Sequence, residues 1–270
     1  MINSSQHLQV LYQAYGNTHL LWKNANINSL KQLHLPLDNN DIFNRKLEKQ
    51  LRLGQLAEQF VFNQIETCTR AVILAENIQV QKEKRTLGEL DTLLLLDRIP
   101  IHLEIVYKFY LYDASLGSSE IECWIGPNRT DSLIEKLNKL EQKQLPLLFS
   151  KDCKHALKQL NLDHHDFQQH VLFKAQLFIP YEQQIHFEFL NADCVSGFHI
   201  NTSQLEGFKT HQFYIPTKLD WFLEPNENVD WMDWIQFKLT SQPAIERHKS
   251  PLFWLKSNTG KLSKAFLVWW

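Results

Sequence analysis

The chain is short of several things that would name a function at once. It has only 8 glycines in 270 residues, and none falls in a Walker loop or a GxGxxG turn, so the usual phosphate-cradling loops are excluded. Its four cysteines, Cys68, Cys123, Cys153 and Cys194, are far apart and form no CxxC. That excludes a zinc ribbon and argues against a disulfide framework at this length. No apolar run approaches the ~20 residues of a membrane-spanning helix, and the opening Met1-Ile2-Asn3-Ser4-Ser5-Gln6 has no basic start followed by an apolar run, so no secretory leader is expected. A soluble protein of a reducing, cytoplasmic setting fits these absences. A surplus of positive charge is missing too: 28 Lys and Arg stand against 30 Asp and Glu, a net charge of −2, so binding to phosphate would need a local patch. There is no internal repeat, no GxSxG, and no Ser/His/Asp grouping, which leaves acyl transfer unsupported.

What the chain does have is a hydrophobic content of 44%, enough for a sizeable core, and one stretch that the rest is organised around. Gly88-Glu89-Leu90-Asp91 leads into the apolar run Leu93 to Leu96; Asp97-Arg98 is a tight turn; Ile99 to Tyr112 is a second strand. Residues two apart in a strand share a face. His102, Glu104, Val106 and Lys108 therefore lie together, as do Glu89 and Asp91. A carboxylate and an ammonium within such apolar strands are costly to bury unless paired or bound to a metal.

Around this pair the pattern predicts a helix over 7–23, a break at 34–41, and a helix over 44–67 whose buried stripe (Leu47, Leu51, Gly54, Val61, Phe62, Ile65) has Glu58 in its middle. Glu58 either serves a site or pairs with Arg45 or Arg52. A strand is expected over 71–80, then the charged connection 81–85 and the two central strands. A short strand over 120–125 and the break Gly126-Pro127-Asn128 come next, followed by a helix over 130–144 with the stripe Leu133, Leu137, Leu140, ended by Pro146. A helical segment over 151–170, a strand over 172–181, short strands at 185–190 and 212–215, and a tryptophan-rich tail complete the order. A mixed sheet flanked by helices is the α/β architecture this implies.

Glu58, Asp91 and Glu104 can converge, and carboxylates gathered at one point suit a hard divalent cation. Such a cation would activate water and neutralise charge on a phosphodiester, with Lys108 stabilising the transition state. The Gly88-Glu89-Leu90-Asp91 opening, the strand carrying Glu104 and a following lysine, the acid on the preceding helix and the element order over about 44–181 resemble the PD-(D/E)XK nuclease superfamily. One departure stands out: that superfamily places its lysine two residues after the acid, where this chain has Val106, and the lysine here is Lys108. More narrowly, Arg52-Leu53-Gly54 with Glu58, Gly88-Glu89-Leu90-Asp91, Glu104 to Leu111, Gly126-Pro127-Asn128 with Asp131, and Gln144-Leu145-Pro146-Leu147 resemble the DUF1853 family. The resemblance implies a restriction-endonuclease-like core at 44–181, an N-terminal helical arm at 1–43 and an aromatic-rich C-terminal appendage at 182–270 packed on the core. It also implies a Mg²⁺- or Mn²⁺-dependent nuclease with catalytic Asp91, Glu104 and Lys108 and metal ligands Glu58, Asp91 and Glu104. The alternative is an inactive protein of the same fold that binds nucleic acid or a protein partner.

Other groups have two readings each. Arg129, Lys136, Lys139 and Lys143 either contact a phosphate backbone or form a solvated face among Glu135 and Glu141. His102 either lines the site or is a hydrogen-bonded core histidine. Glu89 either binds metal or stabilises the strand entrance. His164-His165-Asp166 is either a metal site or a solvated helix face. The late tryptophans either stack on bases or fill a core.

Overall fold

The computed structural model describes residues 5–23, 26–35, 42–162 and 167–270; the His164-His165-Asp166 group lies outside them. Six α-helices are described: α1 (Ser5–Asn17), α2 (Leu53–Thr67), α3 (Leu133–Lys139), α4 (Leu145–Leu147), α5 (Lys151–Gln159) and α6 (Trp234–Glu246). Nine strands join one mixed sheet: β1 (Ala71–Lys82), β2 (Arg85–Leu96), β3 (Ile99–Tyr112), β4 (Trp124–Ile125), β5 (Gln168–Pro180), β6 (Val195–Asn201), β7 (Gln212–Tyr214), β8 (Leu252–Lys256) and β9 (Leu262–Val268). The expected α/β class, a mixed sheet with flanking helices, is what the chain forms.

The chain divides into two compact units that interleave along the sequence. One holds residues 1–12, 20–107 and 135–174; the other holds 13–19, 108–134 and 175–270. The division falls inside α1, β3, α3 and β5.

In the first unit β1, β2 and β3 form an antiparallel meander. Asp97 and Arg98 both have positive φ, 51° and 67°, the two-residue turn whose twist matches that of its strands. Ile101 to Tyr107 is buried on both faces of β3, which marks it as an interior strand. Helices α2 and α5 pack on β1. Leu148, Cys153 and Leu157 close over Ile78, Val80, Leu90 and Leu93 in a core cluster.

Two helices differ from expectation. The helix expected from residue 44 begins at Leu53, after an extended Arg52 whose N–H is accepted by the Gln55 side chain. Residues 42–44 are instead tied to the helix flank, where Asn63 accepts the Asn44 N–H and donates to the Ile42 carbonyl. The buried stripe accordingly runs through Leu53, Leu56, Ala57, Phe60 and Val61, and Gly54 is exposed. The 130–144 helix does not end before Pro146. After α3 it widens into a π-helical turn, Leu140–Gln144, and continues through Pro146 as the short α4, Leu145–Leu147.

In the second unit β6 runs parallel to β5 and to β9, and β8 and β7 follow antiparallel. Phe237 of α6 stacks on Phe213 with ring centroids 4.4 Å apart, within a cluster of Ile200, Leu205, Phe208, Phe253, Leu255, Ala265 and Leu267. The tail therefore carries a core cluster of its own, and Trp254 is part of the buried interior. No strand forms over 185–190. The Glu120 carboxylate takes the N–H groups of Glu188, Phe189 and Leu190 that a ladder would have used. Residues 121–123 form a 3₁₀ turn, leaving only Trp124–Ile125 as strand.

Candidate active site

The site begins where two strands part. β1 stays paired with β2 along its length, but the β2–β3 ladder stops at Thr92 opposite Leu103. One step further on, Asp91 and Glu104 come opposite each other on the same face, and the backbone there is no longer joined by the ladder. The Asp91 carboxylate takes over one of the freed groups: its Oδ2 accepts the Ile105 N–H at 2.7 Å. An apolar residue at 91 would leave that strand N–H without its acceptor, at a cost of about 1–3 kcal/mol.

Glu104 is fully buried, and both its oxygens are occupied. Oε1 lies 3.1 Å from His102 Nε2, and Oε2 accepts from Gln144 Nε2 at 2.5 Å. Gln144 Oε1 in turn accepts from Lys136 Nζ at 2.8 Å. His102, also fully buried, has its Nδ1 3.2 Å from Gln169 Nε2, and that amide donates to the Leu145 carbonyl. His102 is thus a hydrogen-bonded interior histidine that also touches the central acid.

Glu58, on α2, completes the acidic group. Burial pushes its carboxyl up from 4.5 to about 8, with the charges of Asp91, Glu89 and Glu104 adding to the rise and Lys136 opposing it. Burial and then Glu104 push Asp91 up from 3.8 to about 7 against the pull of the Ile105 N–H and Lys136. Burial also raises Glu104, opposed by Lys136, by the Asp91 N–H and by Lys139. Burial holds the His102 imidazole neutral, down to about 4. Arg45, one of the expected partners of Glu58, is instead bound to Gln59, Glu66 and Glu76. Glu58 itself has no hydrogen-bond partner among the described residues.

The expected site residues thus separate into those that act on this cluster and those engaged elsewhere. Lys108 gives its Nζ to Asp131 Oδ2 at 2.6 Å; the cations whose charge acts on the three acids are Lys136 and Lys139. Arg129 is held by Asp113 at 2.7 Å and lies over the Trp270 ring at 4.5 Å. Lys143 is exposed. Glu89 bears on Glu58 and Glu104 through its charge. Three contributors were not singled out by sequence: Gln144, Gln169, and Lys136 in its role beside the acids. The usable signal for the first was its place just before Leu145-Pro146, on the helix whose apolar stripe faces the strands.

The cluster gathers three carboxyl groups that burial pushes up, with the Lys136 charge opposing the rise in each. Among the described residues no group of three or more His, Cys, Asp or Glu is already drawn together as a metal-binding set. Glu104 has turned its oxygens to neutral donors, and Asp91 has turned one of its own to the backbone. Glu58, Asp91 and Glu104 are the residues that would hold a divalent cation. No described helix is long and apolar enough to cross a membrane.

No curated protein and no solved structure matches the chain. A family model does, the Domain of unknown function (DUF1853), over residues 2–268. With nearly the whole length matched and the resembling motifs placed on α2, β2, β3 and the helix that follows, the chain belongs to the DUF1853 family.

Proposed function

We propose that the first unit carries a divalent-cation-dependent phosphodiesterase site acting on DNA or RNA, built on a restriction-endonuclease-like sheet of PD-(D/E)XK type. The observation that carries this reading is the parting of β2 and β3, which leaves Asp91 and Glu104 side by side with Glu58 nearby and the Lys136 charge acting on all three. Bound Mg²⁺ or Mn²⁺ would supply Lewis acidity, acidifying a water and drawing charge off the phosphoryl oxygens. Glu58, Asp91 and Glu104 would hold the cation. Lys136 offsets the negative charge of the cluster and takes the part that the sequence pattern assigned to Lys108. Four free cysteines are consistent with a reducing cytoplasmic setting.

The test is cleavage of mixed single- and double-stranded DNA and RNA under Mg²⁺ and Mn²⁺, beside Asp91→Ala and Lys136→Met. Cation-dependent cleavage lost in both variants supports the reading. Cleavage that survives Asp91→Ala belongs to a contaminant and sinks it. A second reading is an inactive protein of the same fold that binds nucleic acid or a protein partner. Two observations favour it: the carboxylates are not drawn together as a metal set, and Lys108 is committed to Asp131. Binding of a nucleic acid without hydrolysis under any divalent metal would select it.

A further inference from the structure

The two oxygens of Glu104 are held by two arms that return to adjacent residues. One arm is the Gln144 side chain. The other runs from His102 through Gln169 to the carbonyl of Leu145, the next residue in the chain. The polarity of both arms is fixed by their outer ends. A carbonyl can only accept, so the Gln169 amide nitrogen must face Leu145. The same nitrogen stands 3.2 Å from His102 Nδ1 and has a second hydrogen to give. Nδ1 is then an acceptor, and the ring proton sits on Nε2, pointed at Glu104 Oε1. On the other arm an ammonium can only donate, so Lys136 fixes Gln144 Oε1 towards itself and Gln144 Nε2 towards Glu104 Oε2.

We propose that Gln144, Gln169 and His102 form a carboxylate clamp that locks His102 as the Nε2–H tautomer and delivers one donor to each oxygen of Glu104. They are positioning residues. The clamp rests on the reading of Glu104 as a cation-holding acid: an ionised carboxylate has about four lone-pair sites, and two donors leave the others for a cation. The π-helical turn Leu140–Gln144 has its place in this design. It ends at the residue that makes one arm and is followed by the residue whose carbonyl anchors the other. Such turns often occur at functional positions.

The experiment uses the full chain with ¹⁵N-labelled histidine and long-range ¹H–¹⁵N correlation, His102 being assigned among the 12 histidines by loss of its signal in His102→Gln. The parent is expected to show only the Nε2–H tautomer, and a dominant Nδ1–H form would overturn the clamp without any variant. Gln169→Glu keeps the shape and reverses the polarity, because a carboxylate accepts where the amide donated. It is expected to move the ring proton to Nδ1 and to weaken Mn²⁺ binding, followed by its electron-spin resonance, about tenfold or more, the range seen when partners of metal ligands are removed. An unchanged tautomer in Gln169→Glu would overturn the proposal. If the parent has the Nε2–H tautomer and Gln169→Glu reverses it, but the parent binds no Mn²⁺, the clamp stands and the phosphodiesterase reading fails.

Discussion

Replacing Glu58 by glutamine tests the electrostatics of the cluster without any assumption about turnover. Glu58 titrates at about 8 in the folded chain and near its ordinary 4.5 once unfolded. Between those values the native state holds a proton that the unfolded state has released. Stability contributed at this site therefore falls as pH rises through that window. At about 1.36 kcal/mol per pH unit, the distance from 4.5 to about 8 amounts to about 5 kcal/mol by pH 8 and above. Glu58→Gln removes that loss and keeps the shape. The variant and the parent should match below about pH 4.5, and the variant should pull ahead steadily to about pH 8, by up to ~5 kcal/mol. His102 works in the opposite direction: its imidazole is depressed to about 4, so its contribution is lost as pH falls from about 6.5 towards 4. It is present in both proteins and cancels in the difference. The assay is urea unfolding in a chelator at several pH values from 4.5 to 9, followed by the fluorescence of the 8 tryptophans. Repeating it in millimolar Mn²⁺ should narrow the gap, because a cation that binds only the folded parent stabilises it by mass action. Parallel pH profiles for parent and variant would refute the reasoning, since Glu58 would then be titrating as an ordinary exposed acid.

Other consequences are quicker to check. Lys108→Ala should leave Mn²⁺ affinity and any phosphodiesterase rate within about twofold, because its ammonium is committed to Asp131, whereas Lys136→Met should lower the rate by about a hundredfold or more, the usual scale for a charge aimed at a transition state. Arg98→Gly should raise stability by about 1 kcal/mol, read as a higher urea midpoint, since Arg98 sits at φ 67°, where only glycine escapes the Cβ penalty. Gly197→Ala should destabilise by about 1–3 kcal/mol: its Cβ would lie 1.9 Å from the backbone oxygen of Lys264 on the neighbouring strand β9, and the two strand backbones would have to move apart. A melting temperature equal to the parent's would contradict that close approach.

Much of the sheet's centre was legible because its cues are local. The apolar run ending at Leu96, the Asp97-Arg98 turn and the period-two pattern through Tyr112 pointed to two paired strands, and the observed register sets Asp91 opposite Glu104. The stripe Leu133, Leu137, Leu140 placed α3, and all three residues are buried. Errors came where a side chain from elsewhere in the chain took over backbone groups. Residues 44–52 read as helical by spacing, but the helix begins only at Leu53, and Asn63 ties down the Asn44 N–H and the Ile42 carbonyl ahead of it. Residues 185–190 read as a strand, but Glu120 binds their N–H groups. Glu120 is more than sixty residues away from that segment, and periodicity carries no information about such a partner.

The lysine shows the same limit at the site. On β3 the face shared with Glu104 leads directly to Lys108, so a strand argument selects it. Alternation fixes only the side of the sheet on which a residue lies, and not which acid its ammonium meets. Asp131 is reachable because the Gly126 turn folds it back: Gly126 donates its N–H to the Asp131 carbonyl at 2.7 Å, and a Cβ at 126 would lie 2.1 Å from Asp131 Oδ1. With that acid beside it, Lys108 has a partner at 2.6 Å. The charge that acts on Glu104 comes instead from Lys136, whose ammonium is held by Gln144 across the π-helical turn Leu140–Gln144. In a regular helix Lys136 and Gln144 would be separated by eight residues of 3.6-per-turn winding, a little over two turns; the widened turn changes that phase. Sequence spacing predicts contacts three or four residues apart on a helix, and here the contact between positions 136 and 144 is 2.8 Å. Restoring regular winding by deleting one residue within Leu140–Lys143 should therefore uncouple Lys136 from the acids and raise the Glu104 carboxyl still further, a change readable in the carboxyl ¹³C titration of the full chain. A Glu104 titration unmoved by that deletion would show that the π-helical turn does not position Lys136 against the acid.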